Sequence, residues 1–346
     1  MKHQTTRYGE IPFYKIGTFG NTADAFISKK LFLEYKTKYS FPKKGDILIS
    51  ASGTIGRAVI YDGKPAYFQD SNIVWIDNDE TLVKNDFLFY AYSNVKWNTE
   101  HTTILRLYND NFRNTLIPLP PLNEQSAIAS ILSDLDRYLC ALDALILKKE
   151  SVKKALSFEL LSQRKRLKGF NQAWQRVRLG DIANYLTSNL SAEQITQQGK
   201  IKVYDVNNFI GYTDTTFISD KPYISIVKDG SVGRVRILPP KTNILSTMGA
   251  LIANHRTTTE FLFYLLSNFD FKNFTSGSII PHIYFKDYKE KTIFLPPLNE
   301  QSAIANILGA LDNEIASLKN KKRQFENIKK ALNHDLMSAK IRVLKK

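Results

Sequence analysis

The sequence predicts an α+β fold with two similar halves, each consisting of a compact α+β domain followed by one long helix. Three observations support this prediction. A segment of 14 residues occurs twice with a single difference. The apolar residues after each copy recur at the spacing of a coiled coil, and the runs before each copy are short, β-rich and separated by Gly, Asn and Asp turns. Two copies are too few for a solenoid, and they fit two halves related by an approximate two-fold axis.

The repeat extends along most of the chain. Leu119–Leu132 reads LPPLNEQSAIASIL, and Leu295–Leu308 reads LPPLNEQSAIANIL. When the two segments are continued without a gap to residues 167 and 343, 24 of 49 aligned positions are identical. Two shorter matches lie upstream, namely GTIGR at 53–57 with GSVGR at 230–234, and FLFY at 87–90 and 261–264. The duplicated unit therefore has about 175 residues.

Each 14-residue segment predicts the start of a long helix. A proline pair precedes the helix and blocks its extension backwards. Asn123 and Asn299 are predicted N-caps, and the Glu that follows each of them favours the positive end of the helix dipole. The apolar residues then recur in steps of four and three, which predicts a seam that packs on another helix or docks a partner. The residues of this seam are Leu132, Leu135, Leu139, Leu142, Leu156, Leu308, Leu311, Ile315, Leu318 and Leu332.

The length of these helices indicates that they pair with each other. Roughly 44 helical residues would extend about 66 Å, which is too long for a helix inside an ordinary domain. Each helix has one apolar stripe and needs a partner, and the nearest candidate is the other copy. The alternative is that each helix packs on its own domain. Lysines interrupt the seam, and the sequence leaves open whether they face partner subunits or carboxylates of the other helix; they are Lys149, Lys153, Lys322 and Lys329.

The segments before the long helices predict the two α+β domains. Strand-like runs lie at residues 46–50, 58–61 and 235–238. The FLFY segments predict helices that begin at Asn85 and Thr259. The short Gly-containing matches between them are interpreted as turns before a strand.

Composition and charge exclude several classes of protein. The 346 residues include one cysteine, Cys140, which excludes a disulfide scaffold and a cysteine-based zinc site. Without a run of 18 apolar residues or an apolar N-terminal stretch, the sequence predicts neither a membrane span nor a signal peptide, and we expect a cytoplasmic protein. The net charge is +15, and nearly all of the excess lies at residues 148–168 and 319–346. Such runs fit a solvated helical face or a surface for a polyanion or an acidic partner.

No motif in the sequence indicates an enzyme. An N-P-P-aromatic methyltransferase motif, a G-x-G loop after a strand and a phosphate-binding G-x-x-x-x-G-K-[ST] loop are all absent. The only nuclease-like pattern is Asp24 with Glu34 and Lys36, and it is not duplicated. The histidines show no ligand spacing; they are His3, His101, His255, His282 and His334. We therefore expect no catalytic, cofactor or metal site in this chain.

Cations and amides in the two α+β domains are candidates for DNA contacts. Arginine can bond both major-groove acceptors of guanine, asparagine can pair with adenine, and lysine neutralises phosphates. Arg57 and Arg234 are equivalent in the repeat, and each follows a Gly turn. The candidate DNA-binding residues are Lys43, Lys44, Arg57, Lys64 and Asn111 in the first domain and Asn207, Asn208, Lys228, Arg234, Arg236 and Lys286 in the second. The alternative for each of them is a surface charge or a turn residue.

The LPPLNEQ helix occurs twice, and each copy follows a G-[ST]-[IV]-G-R turn and an FLFY helix. With this arrangement the chain resembles the specificity (S) subunit of type I restriction-modification enzymes. The resemblance covers essentially all 346 residues. It implies target-recognition domains at residues 1–118 and 168–294, and spacer helices at 119–167 and 295–346 that form an antiparallel coiled coil. By this resemblance, each domain reads one half of a split double-stranded DNA site, and the helices fix the distance between the halves.

The resemblance also implies partners. The helices would dock two modification subunits, which bind S-adenosylmethionine and methylate adenine, and restriction subunits are a further partner that the sequence leaves open. The chain itself would carry no catalysis and no cofactor. One departure from the family pattern is that the first domain is roughly 20 residues shorter at its start than the second, counted from aligning Gly9 with Gly199. The competing hypothesis is therefore an assembly scaffold whose first domain no longer reads DNA.

Overall fold

The structure is a computed structural model that divides the chain into two compact units. It describes residues 4–68, 72–97 and 106–344. One unit consists of residues 1–143 and 320–346, and the other consists of residues 144–319. Each unit contains one α+β domain and a part of both long helices. Within the described residues, none of the helices has the length and apolar character needed to cross a bilayer.

The first unit contains two three-stranded sheets. Its strands are β1 (Ile11–Tyr14), β2 (Ala25–Ile27), β3 (Ile47–Ser50), β4 (Ala58–Ile60), β5 (Tyr67–Phe68) and β6 (Ile73–Trp75). In one sheet β1 pairs antiparallel with β2 and parallel with β5. In the other sheet β3 pairs antiparallel with both β4 and β6. Its short helices are α1 (Lys29–Lys38), α2 (Asn85–Tyr92) and α3 (Asn109–Arg113), and the first long helix, α4 (Leu122–Leu161), follows in the chain.

The second unit has more strands than the first. They are β7 (Gln175–Arg178), β8 (Ala183–Thr187), β9 (Ile201–Tyr204), β10 (Phe209–Thr213), β11 (Tyr223–Val227), β12 (Val235–Leu238), β13 (Thr242–Ile244), β14 (Met248–Ala253), β15 (Thr275–Ser276), β16 (His282–Ile283) and β17 (Thr292–Leu295). Its short helices are α5 (Thr259–Ser267) and α6 (Phe285–Tyr288), and the second long helix is α7 (Leu298–Met337).

The sheets of the second unit repeat those of the first. The strand order β10-β9-β13 matches β2-β1-β5, and β12-β11-β14 matches β4-β3-β6. The second unit adds β8, which pairs antiparallel with β14, and β7, which pairs antiparallel with β17. Both added strands come from residues 175–187, which precede the segment that aligns with the start of the first domain.

The central strands β3 and β11 are buried along their whole length, which explains their continuous apolar sequences. In the first unit Ile47 and Ile49 share a core with Leu88 of α2. In the second unit Ile224 and Ile226 share a core with Phe261 of α5, among other residues. The helices predicted from the FLFY segments therefore exist, begin at the predicted residues and cover the central strands. The strands predicted at 46–50, 58–61 and 235–238 are also present.

The N-cap of each long helix lies two residues earlier than predicted. The amide of Gln125 donates to the carbonyl of Pro121 at 2.9 Å, and the amide of Gln301 donates to the carbonyl of Pro297 at 2.9 Å. The second proline of each pair is therefore the N-cap, a position whose own N–H the helix does not require. The prediction that Asn123 is an N-cap is wrong, and the same holds for its equivalent Asn299, because both lie inside the first turn.

A buried glutamine fixes the start of each long helix to its own domain. In the first unit the side chain of Gln125 accepts from the amide of Lys84 at 2.8 Å and donates to the carbonyls of Leu82 and Pro120. In the second unit Gln301 makes the equivalent bonds and one more, with the partners Thr257, Thr258, Arg256 and Pro296. Both glutamines are fully buried. These bonds explain why the repeated segment contains a glutamine at this position.

In the first unit, the first part of α4 packs against the last part of α7. The pairs are Leu132 with Leu336 in one core cluster, Tyr138 with Phe325 as tilted rings in contact, and Asp143 with Lys322 as an ion pair. Residue numbers rise along α4 as they fall along α7, so the two helices run antiparallel. The rings of Tyr138 and Phe325 have centroids 4.7 Å apart.

In the second unit, the last part of α4 packs against the first part of α7 in the same way. Leu160 shares a core with Ile304 and Leu308. Towards the middle of the helices, Lys149 lies 2.8 Å from Glu314. The pairing is again antiparallel, so the predicted α+β fold with an antiparallel helix pair is confirmed. Each long helix has 40 residues.

The lysines that interrupt the seam bind carboxylates of the other helix. The pairs are Lys149 with Glu314, Lys153 with Asp312, Lys322 with Asp143, and Lys329 with Asp136. Two of these carboxylates also accept a bond from the domain, because Tyr90 donates to Asp136 and Tyr264 donates to Asp312, each at 2.8 Å. The alternative left open by the sequence is thus settled in favour of the carboxylates.

Candidate nucleic-acid interface

Two equivalent turns follow the central strands of the two domains. In the first unit the turn joins β3 to β4, and the amide of Ser50 donates to the carbonyl of Arg57 at 2.9 Å. In the second unit the turn joins β11 to β12, and the amide of Val227 donates to the carbonyl of Arg234 at 2.9 Å. Each turn is therefore the closed end of a hairpin, and each places an arginine at the same position after it.

The second glycine of each turn allows an aromatic ring to approach the backbone. Gly56 and Gly233 both have φ of +79°, a region that favours glycine. A Cβ on Gly56 would lie 2.2 Å from the indole nitrogen of Trp97, and a Cβ on Gly233 would lie 2.6 Å from the ring of Phe271. The interpretation of these segments as turns before a strand is confirmed, and the rings explain why the last glycine recurs.

Three predicted DNA-binding residues lie together in the second unit. Arg234 donates from Nη2 to Oδ1 of Asn207 at 2.7 Å, and Arg236 donates from Nη1 to the carbonyl of Asn207 at 2.9 Å. The Arg236 guanidinium also lies 5.2 Å from the ring centroid of Tyr204, a cation–π contact. Asn207 and Arg234 are exposed. The loop between β9 and β10 and the start of β12 thus form one cationic surface, which we call the Arg234 cluster (Asn207, Arg234 and Arg236).

Asn208 lies in the same loop as the Arg234 cluster. Oδ1 of Asp205 accepts from the amides of Asn207 at 2.8 Å and Asn208 at 2.6 Å, and the amide of Asp205 donates to the carbonyl of Asn208. Such an aspartate fixes the backbone of a tight turn. Asn208 is exposed, so the turn presents its carboxamide to solvent.

The other two predicted cations of the second unit lie beside β16. Lys228 is half-buried at the start of the turn, and its carbonyl accepts from the amide of Ile283 at 2.9 Å. Lys286 is exposed, and its ammonium lies 5.4 Å from the ring centroid of Tyr284. Because Ile283 and Tyr284 are neighbours, this strand connects both lysines to the turn that carries Arg234.

The predicted cations of the first unit do not form one cluster. Arg57 lies at one end of the β3–β4 ladder, where its Nη1 donates to the carbonyl of Phe19 at 2.9 Å. Lys43, Lys44 and Lys64 lie in the segments at the opposite end of that ladder, before β3 and after β4. The sequence could not reveal this separation, because it depends on which ends of the two strands meet.

Two of these lysines form exposed ion pairs. Lys43 Nζ lies 3.0 Å from Asp77, and this hydrogen bond raises the pKa of Lys43. Lys64 Nζ lies 3.2 Å from Asp62, and the backbone N–H of Lys64 is the main cause of the lowered pKa of Asp62. Exposed ion pairs contribute little to stability and are screened by salt. Both lysines can therefore exchange their partners for phosphates.

Asn111 is engaged at the start of α3. Its Oδ1 accepts from the amide of Tyr108 at 2.6 Å, and its own amide donates to the carbonyl of Tyr108. The side chain thus caps a short helix, as the turn alternative for this residue anticipates. Its role as a base reader stays a prediction.

The sequence analysis did not identify the basic helix α1. This helix carries four exposed lysines, namely Lys29, Lys30, Lys36 and Lys38. It is capped by Ser28, whose Oγ accepts from the amide of Leu31 at 3.2 Å. The second unit has no helix between β10 and β11. The signal in the sequence was the longer segment before the Gly turn of the first copy.

The residues considered for a nuclease do not converge on a metal site. Asp24 pairs with Lys15 at 2.8 Å, and the ammonium of Lys36 lies 5.3 Å from the ring centroid of Phe41. Among the residues that the structure describes, no group of three His, Cys, Asp or Glu side chains is placed to hold a metal ion. His3 and His101 lie outside the described residues.

The long helices have two sets of apolar residues. Of the predicted seam, Leu132, Leu142, Leu308 and Ile315 are buried, and Leu135, Leu139, Leu156, Leu311, Leu318 and Leu332 are half-buried. A second set is exposed and recurs at equivalent positions, pairing Leu122 with Leu298, Ile131 with Ile307, and Val152 with Ile328. We call this second set the exposed repeat residues; nine residues separate the first two along each helix, which places them on opposite sides of it. Counting a heptad seam identifies only the first set, which is why the sequence analysis missed the second.

A buried carboxylate at the start of each long helix is held by an arginine. Glu300 is fully buried and accepts from Nη2 of Arg166 at 2.6 Å and from Nε1 of Trp174 at 2.9 Å. Glu124 is almost fully buried and accepts from Nη2 and Nε of Arg342 at 2.6 and 2.8 Å. The Arg342 guanidinium lowers the pKa of Glu124 below its ordinary value. Each arginine lies beyond the end of the opposite helix, so it secures the antiparallel pair within its unit.

The amino-acid sequence matches a family model described as the type I restriction modification DNA specificity domain. The match occurs twice, over residues 1–150 and 171–327. The chain belongs to this family. Because the two matches together cover most of the chain, the resemblance inferred from the doubled LPPLNEQ helix is confirmed. The family comprises specificity subunits, which are non-catalytic components of type I restriction enzymes.

Individual relatives agree with this assignment. Over 335 residues the chain is 30% identical to the putative type I restriction enzyme MjaX specificity subunit of Methanocaldococcus jannaschii. This alignment covers 86% of this chain and 79% of that protein. Over 133 residues it is 65% identical to the putative specificity subunit S.HindORF215P of Haemophilus influenzae. That shorter alignment covers 38% of this chain and 34% of the relative.

Solved structures share the fold. The S subunit of the type I restriction-modification system of M. genitalium superimposes with a TM-score of 0.62 at 21% identity, covering 97% of this chain and 91% of that chain. A chain from a structure describing the assembly and conformational transition of the type I system superimposes with a TM-score of 0.55 at 17% identity, covering 85% of this chain and 82% of that chain. These similarities support the fold of two α+β domains with a pair of long helices.

Proposed function

We propose that this chain reads a two-part sequence in double-stranded DNA and presents it to adenine methyltransferase subunits. The domains at residues 1–118 and 168–294 would each read one part. The observation that best supports DNA reading is the Arg234 cluster, where two arginines at the start of β12 meet an asparagine of the β9–β10 loop. Arginine and asparagine are the side chains that most often make paired bonds to guanine and adenine.

The first domain offers a different set of contacts. The four lysines of α1 precede Lys43 and Lys44 in the chain, and together they make this part of the domain strongly basic. Lysines bind phosphates as point charges and supply affinity that depends on salt. We assign Arg57 a role equivalent to Arg234, since both follow the same turn and both bond the loop after the first strand of their small sheet.

We assign the exposed repeat residues to contacts with two modification subunits, because apolar residues recur at equivalent positions of α4 and α7, as expected if two copies of one partner bind. S-adenosylmethionine would bind those partners. Restriction subunits are a further partner, to which these residues are not assigned. Since the chain would act on chromosomal DNA, we place it in the cytoplasm.

The paired helices would set the distance between the two parts of the DNA site. Forty helical residues correspond to about 60 Å, and one turn of DNA is about 34–36 Å. A stiff helix pair keeps both the spacing and the rotational phase of two readers, and linking the readers raises their combined affinity through effective concentration. Ion pairs such as Lys153 with Asp312 fix the register of these helices in each unit.

Methylation mapping tests the proposal. The chain would be produced with its modification subunits in a host without other adenine methylation, and methylated adenines would be mapped genome-wide. We expect one motif made of two short parts separated by a fixed number of unspecified bases. A contiguous motif, or no motif, would contradict the proposal, and an assembly scaffold would give no motif while still binding the partner subunits.

A variant assigns the two parts to the two domains. Arg234→Ala should lower the affinity for the motif duplex by about 1–3 kcal/mol and relax the sequence preference in one part only. Lys221→Ala is the control, because this exposed lysine of the same unit lies outside the Arg234 cluster. Equal loss of preference in both parts, or no loss, would argue against the assignment of Arg234.

A further inference from the structure

An exposed apolar loop lies next to the proposed DNA-reading turn of the second unit. It consists of Gly277, Ser278, Ile279, Ile280 and Pro281, between β15 and β16, and we call it the 277–281 loop. Ile279 is 92% exposed and Ile280 is 54% exposed. Two adjacent isoleucines presented to solvent are unfavourable in water unless another molecule covers them.

The loop has a defined conformation. Ser276 and His282 face each other in the antiparallel pair of β15 and β16 that closes it. Gly277 has φ of +91°, and a Cβ on it would lie 2.3 Å from the carbonyl oxygen of Ile280. Only glycine fits such a position without a shift of the backbone. The two isoleucines are therefore held outward on a closed hairpin.

Three contacts join the 277–281 loop to the turn that carries Arg234. The amide of Gly230 donates to the carbonyl of Pro281 at 2.9 Å. Oδ1 of Asp229 lies 2.6 Å from Nδ1 of His282, and the next residue of β16 donates to the carbonyl of Lys228. The apolar loop and the cationic turn are thus parts of one surface.

The chemistry of this surface fits DNA. Lys228 lies at the start of the turn that the loop contacts, and Lys286 lies over the half-exposed ring of Tyr284 just after β16. Cations beside an apolar projection are the arrangement that places phosphates on the cations and the projection in a groove. Isoleucine, leucine and proline inserted between base pairs unstack one step and kink the duplex. A protein partner that bound only the isoleucines would leave these flanking cations without a role.

We propose that Ile279 and Ile280 form a wedge that enters a groove of the bound DNA and unstacks a base step in or beside the part of the site read by the second unit. This proposal rests on the proposed function, because it requires the second unit to bind DNA. The chain would then bend its target as well as read it. Part of its sequence preference would come from how easily that base step unstacks.

The test uses the complex of the chain with its modification subunits and a duplex that carries the mapped motif. One duplex carries 2-aminopurine near the proposed step, since this base fluoresces more strongly when unstacked, and another carries a donor and an acceptor dye at its ends. Two double variants are compared. The serine variant carries Ile279→Ser and Ile280→Ser and removes the apolar wedge, and the leucine variant carries Ile279→Leu and Ile280→Leu and keeps it. Leu82→Ser is the control, because Leu82 is an exposed leucine (67%) of the first unit.

We expect the wild type, the leucine variant and the control to increase 2-aminopurine fluorescence and to shorten the end-to-end distance. The serine variant should do neither, and its Kd for the motif duplex should rise about tenfold while its Kd for a scrambled duplex stays unchanged.

Three results would overturn the wedge. Wild-type complex that methylates the motif without changing either signal would refute the wedge and leave the proposed function intact. A serine variant that loses its modification subunits in size-exclusion chromatography would show that the loop contacts protein. Failure of the wild type to distinguish motif from scrambled DNA would refute the proposed function and the wedge with it.

Discussion

Replacing the buried glutamine at the start of each long helix should destabilise the unit that contains it. Gln125→Met and Gln301→Met keep the length of the side chain and remove its hydrogen-bonding groups. Gln125 makes three bonds to backbone groups at 2.8 to 3.1 Å. Gln301 makes four bonds, of which one is to the hydroxyl of Thr257. Each variant leaves buried donors and acceptors without a partner in the protein.

The expected magnitude follows from the number of bonds. At about 1 kcal/mol net for each hydrogen bond, Gln125→Met should cost about 3 kcal/mol and Gln301→Met about 4 kcal/mol of the free energy of unfolding. A methionine of similar volume adds no cavity, so packing should change little. The two losses should be confined to different units, since each glutamine bonds only to groups of its own unit.

Urea unfolding followed by tryptophan fluorescence can separate the two units. Trp75 and Trp97 belong to the first unit and Trp174 to the second. Ser126→Ala is a matched control, because that exposed hydroxyl donates only to a carbonyl of its own helix, and it should change the free energy of unfolding by less than about 0.5 kcal/mol. The reasoning would be refuted if either glutamine variant were as stable as this control.

Three further predictions concern the helix pair and the turn. Tyr90→Phe removes a hydroxyl that donates to Asp136 at 2.8 Å, and it should lower the free energy of unfolding of the first unit by about 1.5–3 kcal/mol. Tyr264→Phe should do the same in the second unit, where Tyr264 donates to Asp312. An unchanged midpoint in urea unfolding would argue against these bonds. Arg342 lowers the pKa of Glu124, so the ion pair should contribute fully to stability above the ordinary pKa of a glutamate, and this contribution should be lost as pH falls through the lowered pKa. Unfolding curves of Arg342→Gln between pH 3 and 7 should lack that loss. Gly56→Ala should destabilise the first unit by more than about 1 kcal/mol, the cost of a positive φ, because the added Cβ also meets the Trp97 ring, and thermal unfolding would show it. Gly45→Ala tests the positive φ alone, because no atom lies within 4 Å of its added Cβ.

The architecture could be predicted because it depends on local patterns that the sequence repeats. The proline pair and the apolar steps after it define where each long helix begins and which face it buries. The Gly turns and the FLFY helices were found because both copies contain them. The one error at the helix start, the N-cap role of Asn123, arose because asparagine and proline are both compatible with that boundary and only the bond from Gln125 to Pro121 decides between them.

The site could be predicted only in part, because its residues meet through the tertiary fold. Arg234 and Asn207 are separated by 27 positions, and their contact depends on how the loop after β9 lies over β12. The cationic candidates of the first unit were divided between two ends of one ladder for the same reason. The 277–281 loop carries no charged residue, so a search for cations and amides passes over it. Its exposure is a property of the hairpin and not of its composition.

One of the layers at which the two units differ bears on how the pairing of the long helices is specified. A first layer is the same in both units, because Asp136 with Lys329 and Asp312 with Lys153 are equivalent pairs. This layer would therefore form in any antiparallel pairing of the two helices. The next layer towards the middle is an aromatic pair in the first unit, Tyr138 with Phe325, and an ion pair in the second, where Lys149 binds Glu314.

If α4 paired antiparallel with a second copy of itself, this layer would place Lys149 against Tyr138, a charge against an aromatic ring. Lys149 would then lose its carboxylate, and the cost of an unpaired half-buried charge exceeds the small gain of a cation–π contact. The repeated layer therefore stabilises any antiparallel pairing of the two helices, whereas the unlike layer favours the pairing of α4 with α7 over the pairing of either helix with a second copy of itself. A single chain can in this way keep two different domains on one helix pair.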